Sequence, residues 1–143
     1  MIGTEMDFVV SDSLKALELY EKIFDIERIE VTDFPQGENE VVFSLYDVRF
    51  HMQDENSHFK IAATKPGDPK PMWFNIMVPD IEKTFEKAII EGCTQVQPVT
   101  EMKEMGASNA IIVDIFGYLW MLHQVHKEVS FEERKKIWEE RNQ

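Results

Sequence analysis

The sequence predicts an α+β fold made of two βαβββ modules and a C-terminal helix. Each half of the 143-residue chain has the same order of β-favouring and helical segments: a strand, a helix and three strands. Two short strings also repeat in register. Residues 10–12 (VSD) match residues 78–80 (VPD), and residues 46–50 (YDVRF) match residues 116–120 (FGYLW). The repeated order and the matched strings together favour an internal duplication.

The first module is predicted over residues 4–54. A β-favouring run at residues 6–10 is followed by residues 11–13 (SDS), which are residue types that commonly cap helix N-termini. The next segment places its apolar side chains on one helical face: Leu14, Ala16, Leu17, Tyr20, Ile23 and Phe24. Three strands are then predicted, with a hairpin tip at Asp47, over residues 29–34, 41–46 and 48–52.

A connector at residues 55–71 separates the two modules. It contains three prolines and several charged residues, and one helical turn is predicted within it at residues 59–63. The second module is predicted over residues 72–126. Because the two modules are short and repeat one plan, we expect residues 1–126 to form a single domain.

The second module repeats the pattern of the first. A predicted strand at residues 73–78 leads to Asp80, which is a suitable helix N-cap. The helix carries apolar residues on one face: Ile81, Phe85, Ala88 and Ile89. Gly92 follows where a left-handed C-terminal cap is expected. Three more strands are predicted over residues 94–96, 110–113 and 119–125.

Residues 127–143 are predicted to form a helical tail. Ser130 and Glu133 have the spacing of a capping box. The apolar residues of the tail are Phe131, Ile137 and Trp138, too few for a fully buried helix. One interpretation is a solvated helix packed along one edge, and the other is that Phe131 and Trp138 contact a partner subunit. Together with the apolar residues at 59–63, the tail predicts a homodimer.

The charge balance excludes several classes of partner. Lys and Arg total 15 and Asp and Glu total 27, so the formal net charge is −12. Because nucleic-acid binding depends on clustered cations, we expect no nucleic-acid partner, and a membrane surface is disfavoured for the same reason. No apolar run approaches the roughly 20 residues of a membrane-spanning helix. The N-terminus lacks the features of a signal peptide. We therefore expect a soluble, cytoplasmic protein.

The sequence lacks the signatures of several catalytic classes. It has no G-x-S-x-G motif, no Gly-rich phosphate loop and no C-x-x-C. The single cysteine, Cys93, has no basic neighbour in the sequence and is interpreted as a small buried apolar residue rather than a nucleophile. The acidic pairs at residues 54–55 and 132–133 are interpreted as solvated charge.

Several strings resemble one superfamily. Residues 8–12 (FVVSD), followed by LYEKIF at residues 19–24, resemble the opening of the vicinal oxygen chelate superfamily, which includes glyoxalase I, bleomycin-resistance proteins and extradiol dioxygenases. Residues 114–120 (DIFGYLW) resemble its DPFGHxW hairpin, with Ile115 where proline is usual. Residues 126–134 (HKEVSFEER) are similar to the tail of the PhnB-like branch.

The resemblance implies curled mixed sheets around a cavity, a dimer, and four positions for ligands of one divalent metal ion. Transferred to this sequence, those positions are Glu5, His51, Trp73 and Met121. Tryptophan cannot ligate a metal, and a thioether is too soft for the ions that the superfamily uses. We therefore expect no metal cofactor. The alternative is a three-ligand set of Glu5, His51 and His123, since His123 lies two residues beyond Met121 on the same strand face.

Strand alternation predicts the wall of a small-molecule pocket. The inward-facing set is Glu5, Asp7, Arg49, His51, Trp73, Asn75, Met77, Met121 and His123. The alternative is that Trp73, Met77 and Met121 fill the core. A pocket predicts a binding protein for a cationic or aromatic ligand, with Trp73 stacking on it. The competing function is a lyase or isomerase of the glyoxalase type, metal-dependent or metal-free, with Glu5 or His51 as acid or base.

Overall fold

The computed structural model describes residues 2–143 and confirms the α+β fold. Within these residues the chain forms two four-stranded mixed sheets and three α-helices. The strands are β1 (Met6–Val10), β2 (Ile26–Val31), β3 (Glu40–Leu45), β4 (Val48–Asp54), β5 (Phe74–Met77), β6 (Thr94–Met102), β7 (Ala107–Val113) and β8 (Leu119–Val125). The helices are α1 (Ser13–Ile23), α2 (Ile81–Ile90) and α3 (Phe131–Arg141).

The first compact unit runs to Pro69 and includes Ile115–Tyr118. Its strand order is β1-β4-β3-β2, in which β1 is parallel to β4 and the other neighbours are antiparallel. Helix α1 packs on one face of this sheet and buries most of the apolar side predicted from its sequence. Leu14 is only partly buried, and Leu19, which the prediction left out, is buried. The core is aromatic, with the rings of Phe43 and Phe50 stacked at a centroid distance of 5.2 Å.

Asp12 and Asp54 fix the start of α1. The Asp12 side chain caps the helix and accepts a hydrogen bond from the Lys15 backbone N–H at 3.1 Å. Asp54 is only 3% exposed, and its carboxylate accepts from the backbone N–H groups of Ser13 (2.7 Å), Gly37 (2.8 Å) and Asn39 (3.1 Å). The interpretation of Asp54 as solvated charge is therefore wrong. Its sequence position beside Glu55 does not reveal the backbone donors that the fold brings to it.

The second compact unit comprises Lys70–Asp114 and Leu119–Gln143. Its strand order, β5-β8-β7-β6, repeats that of the first unit, again with one parallel pair between its first-listed strands. Asp80 caps α2 by accepting from the Lys83 backbone N–H, and Gly92 has the expected left-handed conformation, with φ = 99°. Helix α2 buries Ile81 and Ala88, whereas Ile89 is 39% exposed.

Several segment boundaries differ from the sequence prediction. Strand β6 extends to Met102 and passes through Pro98, which is tolerated because β6 is an edge strand with irregular register there. Strand β2 begins at Ile26, three residues before the predicted start. The helical turn predicted at residues 59–63 lies earlier, as a 3₁₀ turn at Ser57–Phe59 capped by the Asn56 side chain.

Helix α3 forms where the tail predicts it. The Ser130 hydroxyl accepts a hydrogen bond from the Glu133 backbone N–H at 3.2 Å, as expected for its N-cap. Its aromatic residues are only partly covered, since Phe131 is 61% exposed and Trp138 is 44% exposed. None of the helices in residues 2–143 combines the length and the apolar character needed to cross a membrane.

Candidate functional site

A hydrogen-bonded cluster occupies one face of the first sheet, and we call it the His51 network: Glu5, Asp7, Glu40, Arg49, His51 and Gln53. The parallel pairing of β1 with β4 places Asp7 opposite His51. His51 Nδ1 donates to Asp7 Oδ2 at 2.8 Å, and Gln53 Nε2 donates to Asp7 Oδ1 at 3.1 Å. Arg49 Nε donates to the Glu5 carboxylate. Apart from Glu40, which lies on β3, these residues share one face because their positions alternate along β4 and along β1 with the residue before it.

The carboxylates around His51 suit an imidazole that exchanges protons. Its second ring nitrogen, Nε2, lies 3.5 Å from Glu40 Oε2. Burial opposes the charged imidazolium, but the hydrogen bond and negative charge of Asp7, with the charge of Glu40, outweigh burial and raise the pKa of His51. The ring remains reachable from solvent, because its side chain is 19% exposed. The arrangement can therefore accept a proton from a bound molecule and return it.

Glu40 is a member of this network that strand alternation in β1 and β4 does not reveal. In the register of β3 with β4, Glu40 faces Gln53 and Val42 faces His51. Alternation along β3 therefore places Glu40 on the same face as His51. Alternation along β3 can be read from the sequence, but it identifies Glu40 as a neighbour of His51 only once the pairing of β3 with β4 is known.

A separate cleft lies within the second unit, and we call it the tail cleft. It has a volume of about 1070 Å³ between one face of the β5–β8–β7 sheet and the residues that lead into and form α3. Its lining is Asn75, Met77, Met102, Met105, Ala107, Asn109, His123, Val125, Lys127, Glu128, Val129, Ser130, Glu133, Arg134 and Trp138. Thioether and aromatic groups interspersed with a few polar groups are typical of small-molecule sites.

The tail cleft contains three residues of the predicted pocket wall. Met77 pairs with His123 across the parallel β5–β8 ladder, and Asn75 lies two residues before Met77 on the same strand face. Trp73 precedes β5 and is 47% exposed, and Met121 is opposite Asn75 in the ladder. Neither Trp73 nor Met121 contributes to the lining of this cleft in the described chain.

Two buried polar atoms of the lining have no hydrogen-bond partner among residues 2–143: His123 Nε2 and Arg134 Nε. Burial lowers the pKa of His123, so its imidazole is neutral at neutral pH. The Arg134 guanidinium carbon lies 5.9 Å from the centroid of the Phe131 ring. Unpartnered polar atoms at a cavity wall are groups that a ligand can satisfy.

A tertiary contact at Gly106 forms one side of this cleft, and the sequence pattern does not show such a contact. Its carbonyl accepts the backbone N–H of His126 at 2.7 Å and that of Lys127 at 3.0 Å, which holds the start of the tail beside it. Gly106 has φ = 67°, and a Cβ there would lie 2.2 Å from the Lys127 carbonyl oxygen. The cleft walls at Met102, Met105 and Trp138 are brought together by this tertiary contact.

The residues at the superfamily's metal positions do not fit a divalent ion. The Glu5 carboxylate is paired with Arg49, and His51 Nδ1 is bonded to Asp7. Trp73 offers no ligating atom, and Met121 offers only a soft sulfur. Across the described part of the chain, no group of three or more His, Cys, Asp or Glu residues is arranged to hold a metal ion.

Comparisons with solved structures show the same fold. The fosfomycin resistance protein FosX from Listeria monocytogenes, in complex with Mn(II) and sulfate, is 15% identical with a TM-score of 0.68, covering 96% of this chain and 99% of that one. TioX from Micromonospora sp. ML1 is 13% identical with a TM-score of 0.63, covering 90% of this chain and 100% of that one.

A third structure has the same architecture. A glyoxalase/bleomycin resistance protein/dioxygenase family enzyme from Burkholderia phytofirmans PsJN is 14% identical with a TM-score of 0.64, covering 85% of this chain and 96% of that one. No protein-family model and no curated protein matches the sequence. At these identities the likeness shows a shared fold, and it is the fold that the sequence motifs predicted.

Proposed function

We propose that the protein is a PhnB-like, small-molecule-binding member of this fold, and that it binds its ligand in the tail cleft without a divalent metal. The observation that carries the proposal is the cleft itself, a volume of about 1070 Å³ whose wall combines three methionines and Trp138 with the unpartnered His123 Nε2. A wall of this kind suits a molecule with an apolar body and a few polar groups.

The lining favours an aromatic body over a cationic head. Trp138 and the thioethers of Met77, Met102 and Met105 make favourable contacts with aromatic rings. Although the whole chain has a net charge of −12, Lys127 and Arg134 balance Glu128 and Glu133 in the cleft lining. The acid excess of the chain therefore gives no local preference for a cation.

A screen of fused-ring aromatic compounds tests this function. Compounds that raise the melting temperature would be followed by NMR of ¹³C-labelled methionine methyl groups on the full chain. We expect the signals of Met77, Met102 and Met105 to shift, while Met52, buried in the first unit, stays in place. Trp138→Ala should weaken binding, whereas Phe59→Ala, which removes an exposed aromatic side chain of the first unit, should not. If no compound shifts the cleft methionines, the proposal fails.

The Asp7–His51 pair favours a second candidate function, a lyase or isomerase reaction of the glyoxalase type. Such reactions move a proton within the substrate, and an imidazole oriented by a carboxylate can carry that proton. We expect turnover of the hemithioacetal of methylglyoxal and glutathione, assayed with and without Mn(II), to be lost in His51→Gln. The exposed His58→Gln variant should retain it. Absence of turnover in the unaltered protein would rule out this reaction.

A homodimer is part of the proposal, as is a cytoplasmic location. The exposed aromatic rings of Phe59 and Phe131, at 69% and 61% exposure, support the first of these. Light scattering at micromolar concentration should give twice the chain mass of 16.8 kDa. A mass of one chain would contradict the dimer.

A further inference from the structure

We infer that the ligand of the tail cleft carries an oxyanion group, such as a carboxylate, which binds Arg134 and His123. This inference rests on the proposed binding function and adds the chemical class of the ligand. The chain has four arginines. Arg28, Arg49 and Arg141 pair with Glu21, Glu5 and Glu104, respectively.

Arg134 is the exception among the described residues, because it makes no ion pair and its Nε has no hydrogen-bond partner. An arginine side chain has five N–H donors and no acceptor, so Nε can be satisfied only by an acceptor on another group. A buried donor without an acceptor is destabilising, and a charged donor more so. The planar N–H groups of the Arg134 guanidinium match the two oxygens of a carboxylate or the oxygens of a phosphate.

The acidic residues of the cleft do not satisfy Arg134. Glu128 and Glu133 line the same cavity, but both are solvent-exposed and neither forms an ion pair with Arg134 in the part of the chain that the structure describes. Lys127 is the other cation of the lining and is also exposed. Arg134 is thus the partly buried charge that a ligand would meet on the α3 side of the cleft.

His123 supplies an uncharged group on the sheet side. Its Nε2 is buried without a partner, and its neighbours in register are Met77 on β5 and Asn109 on β7. The Asn109 amide is already used, since it donates to Met102 Sδ at 3.9 Å and its oxygen accepts from Gln97 at 2.6 Å. A neutral imidazole can donate to an oxyanion without adding charge. Because Arg134 is partly buried while the other charged residues of the lining are exposed, the charge closest to a bound molecule favours an amphipathic anion.

Four naphthalene compounds with different head groups test this inference on the full chain: 2-naphthoate, 2-naphthyl phosphate, 2-naphthamide and 2-naphthylmethylammonium. They share one aromatic body, so differences in affinity report the head group. We expect an anionic compound to bind about tenfold or more tightly than the amide, because charged hydrogen bonds exceed neutral ones. Comparison of naphthoate with naphthyl phosphate distinguishes a carboxylate ligand from a phosphorylated one.

Arg134→Gln should remove the preference for the anion while leaving the amide affinity nearly unchanged. Lys136→Gln is the matched control, because it removes one positive charge from an exposed position of α3 that does not line the cleft. The preference should persist in that variant. Methionine methyl spectra of both variants without ligand establish that the cleft is folded.

The remaining outcomes overturn the inference in distinguishable ways. If amide and anions shift the cleft methionines with equal affinity, or if the ammonium compound binds best, the oxyanion is wrong and the binding function stands. If Arg134→Gln keeps the preference, Arg134 is not its source. If none of the four compounds shifts Met77, Met102 or Met105, the inference fails. The proposed function fails as well only if no compound of the fused-ring screen shifts these methionines.

Discussion

Asp54 connects three segments of the first unit through one carboxylate. Burial raises the pKa of Asp54, but the backbone N–H groups of Ser13, Gly37 and Asn39 outweigh burial and hold this pKa below its ordinary value. A folded-state pKa below the unfolded one means that Asp54 stabilises the fold above its unfolded pKa. This stabilisation is lost as the pH falls through the folded pKa.

Asp54→Asn should therefore lower the free energy of unfolding by about 2 kcal/mol at neutral pH, because an amide replaces one acceptor oxygen with a donor facing N–H groups. Urea unfolding measures this difference. The variant should also lose less stability than the unaltered protein on acidification. Asp33→Asn, at an exposed position, is the control and should change little. Equal stability of Asp54→Asn and the unaltered protein would contradict the role assigned to Asp54.

The two histidines of the candidate sites should titrate on opposite sides of the ordinary value. Asp7 and Glu40 raise the pKa of His51, whereas burial lowers the pKa of His123. The pKa of each histidine can be measured from its imidazole NMR signals as a function of pH. Asp7→Asn should lower the pKa of His51 more than Glu40→Gln does, because Asp7 makes the shorter hydrogen bond. The reverse order of the two variants would place the controlling carboxylate at Glu40.

His51 also contributes to the pH dependence of stability. Its raised folded-state pKa means that the stabilisation is fully present below the unfolded pKa and is lost as the pH rises through the folded pKa. The pH dependence has the opposite sign to that of Asp54, whose stabilisation is lost as the pH falls. Both contributions are fully present between the unfolded-state pKa of Asp54 and the unfolded-state pKa of His51, so together the two groups oppose unfolding most strongly in that range.

At the scale of elements, α3 converts an open sheet face into a cleft. The helix has no fully buried residue, so its own apolar contacts hold it weakly. The backbone bonds from His126 and Lys127 to the Gly106 carbonyl hold the segment before it beside the β7 end of the sheet. The site therefore depends on a turn residue as much as on its lining.

Gly106→Ala should destabilise the protein by roughly 2 kcal/mol or more and loosen the tail, because its Cβ would overlap the Lys127 carbonyl. Gly67→Ala provides a matched control. Gly67 also has positive φ, but no atom lies within 4 Å of the Cβ position. Amide hydrogen exchange over residues 127–143, measured in both variants, should increase only in Gly106→Ala. Equal exchange in the two would show that the contact with Lys127 does not hold the tail.

At the scale of the whole molecule, the two units share one strand order but carry different residue types at equivalent positions. The parallel strand pairs place Asp7 opposite His51 in one unit and Asn75 opposite Met121 in the other. Equivalent positions are thus ionisable in the first unit and uncharged in the second. The same strand order therefore carries the His51 network in the first unit and the tail cleft in the second.

The purified protein should carry no stoichiometric divalent ion. The physical reason is that Glu5 and His51 are engaged by Arg49 and Asp7, while Trp73 and Met121 are unsuitable ligands for such ions. Elemental analysis for zinc, nickel, manganese and iron checks this. A ratio near one ion per chain would contradict it, and Glu5→Gln with His51→Gln would then show whether these residues hold the ion.

Sequence periodicity and capping residues determined the element order and the helix N-caps of both modules, because both are local properties of the chain. The duplicated plan followed from the repetition of that order. Pairing between strands decided the rest. The register that brings Glu40 and Asp7 to His51, and the turn that places Arg134 above the sheet of His123, join residues far apart in the chain. The pattern of neighbouring residues in the sequence does not indicate such long-range contacts. The sequence by itself determined the fold, and only the tertiary structure decided which polar groups are satisfied and which remain for a ligand.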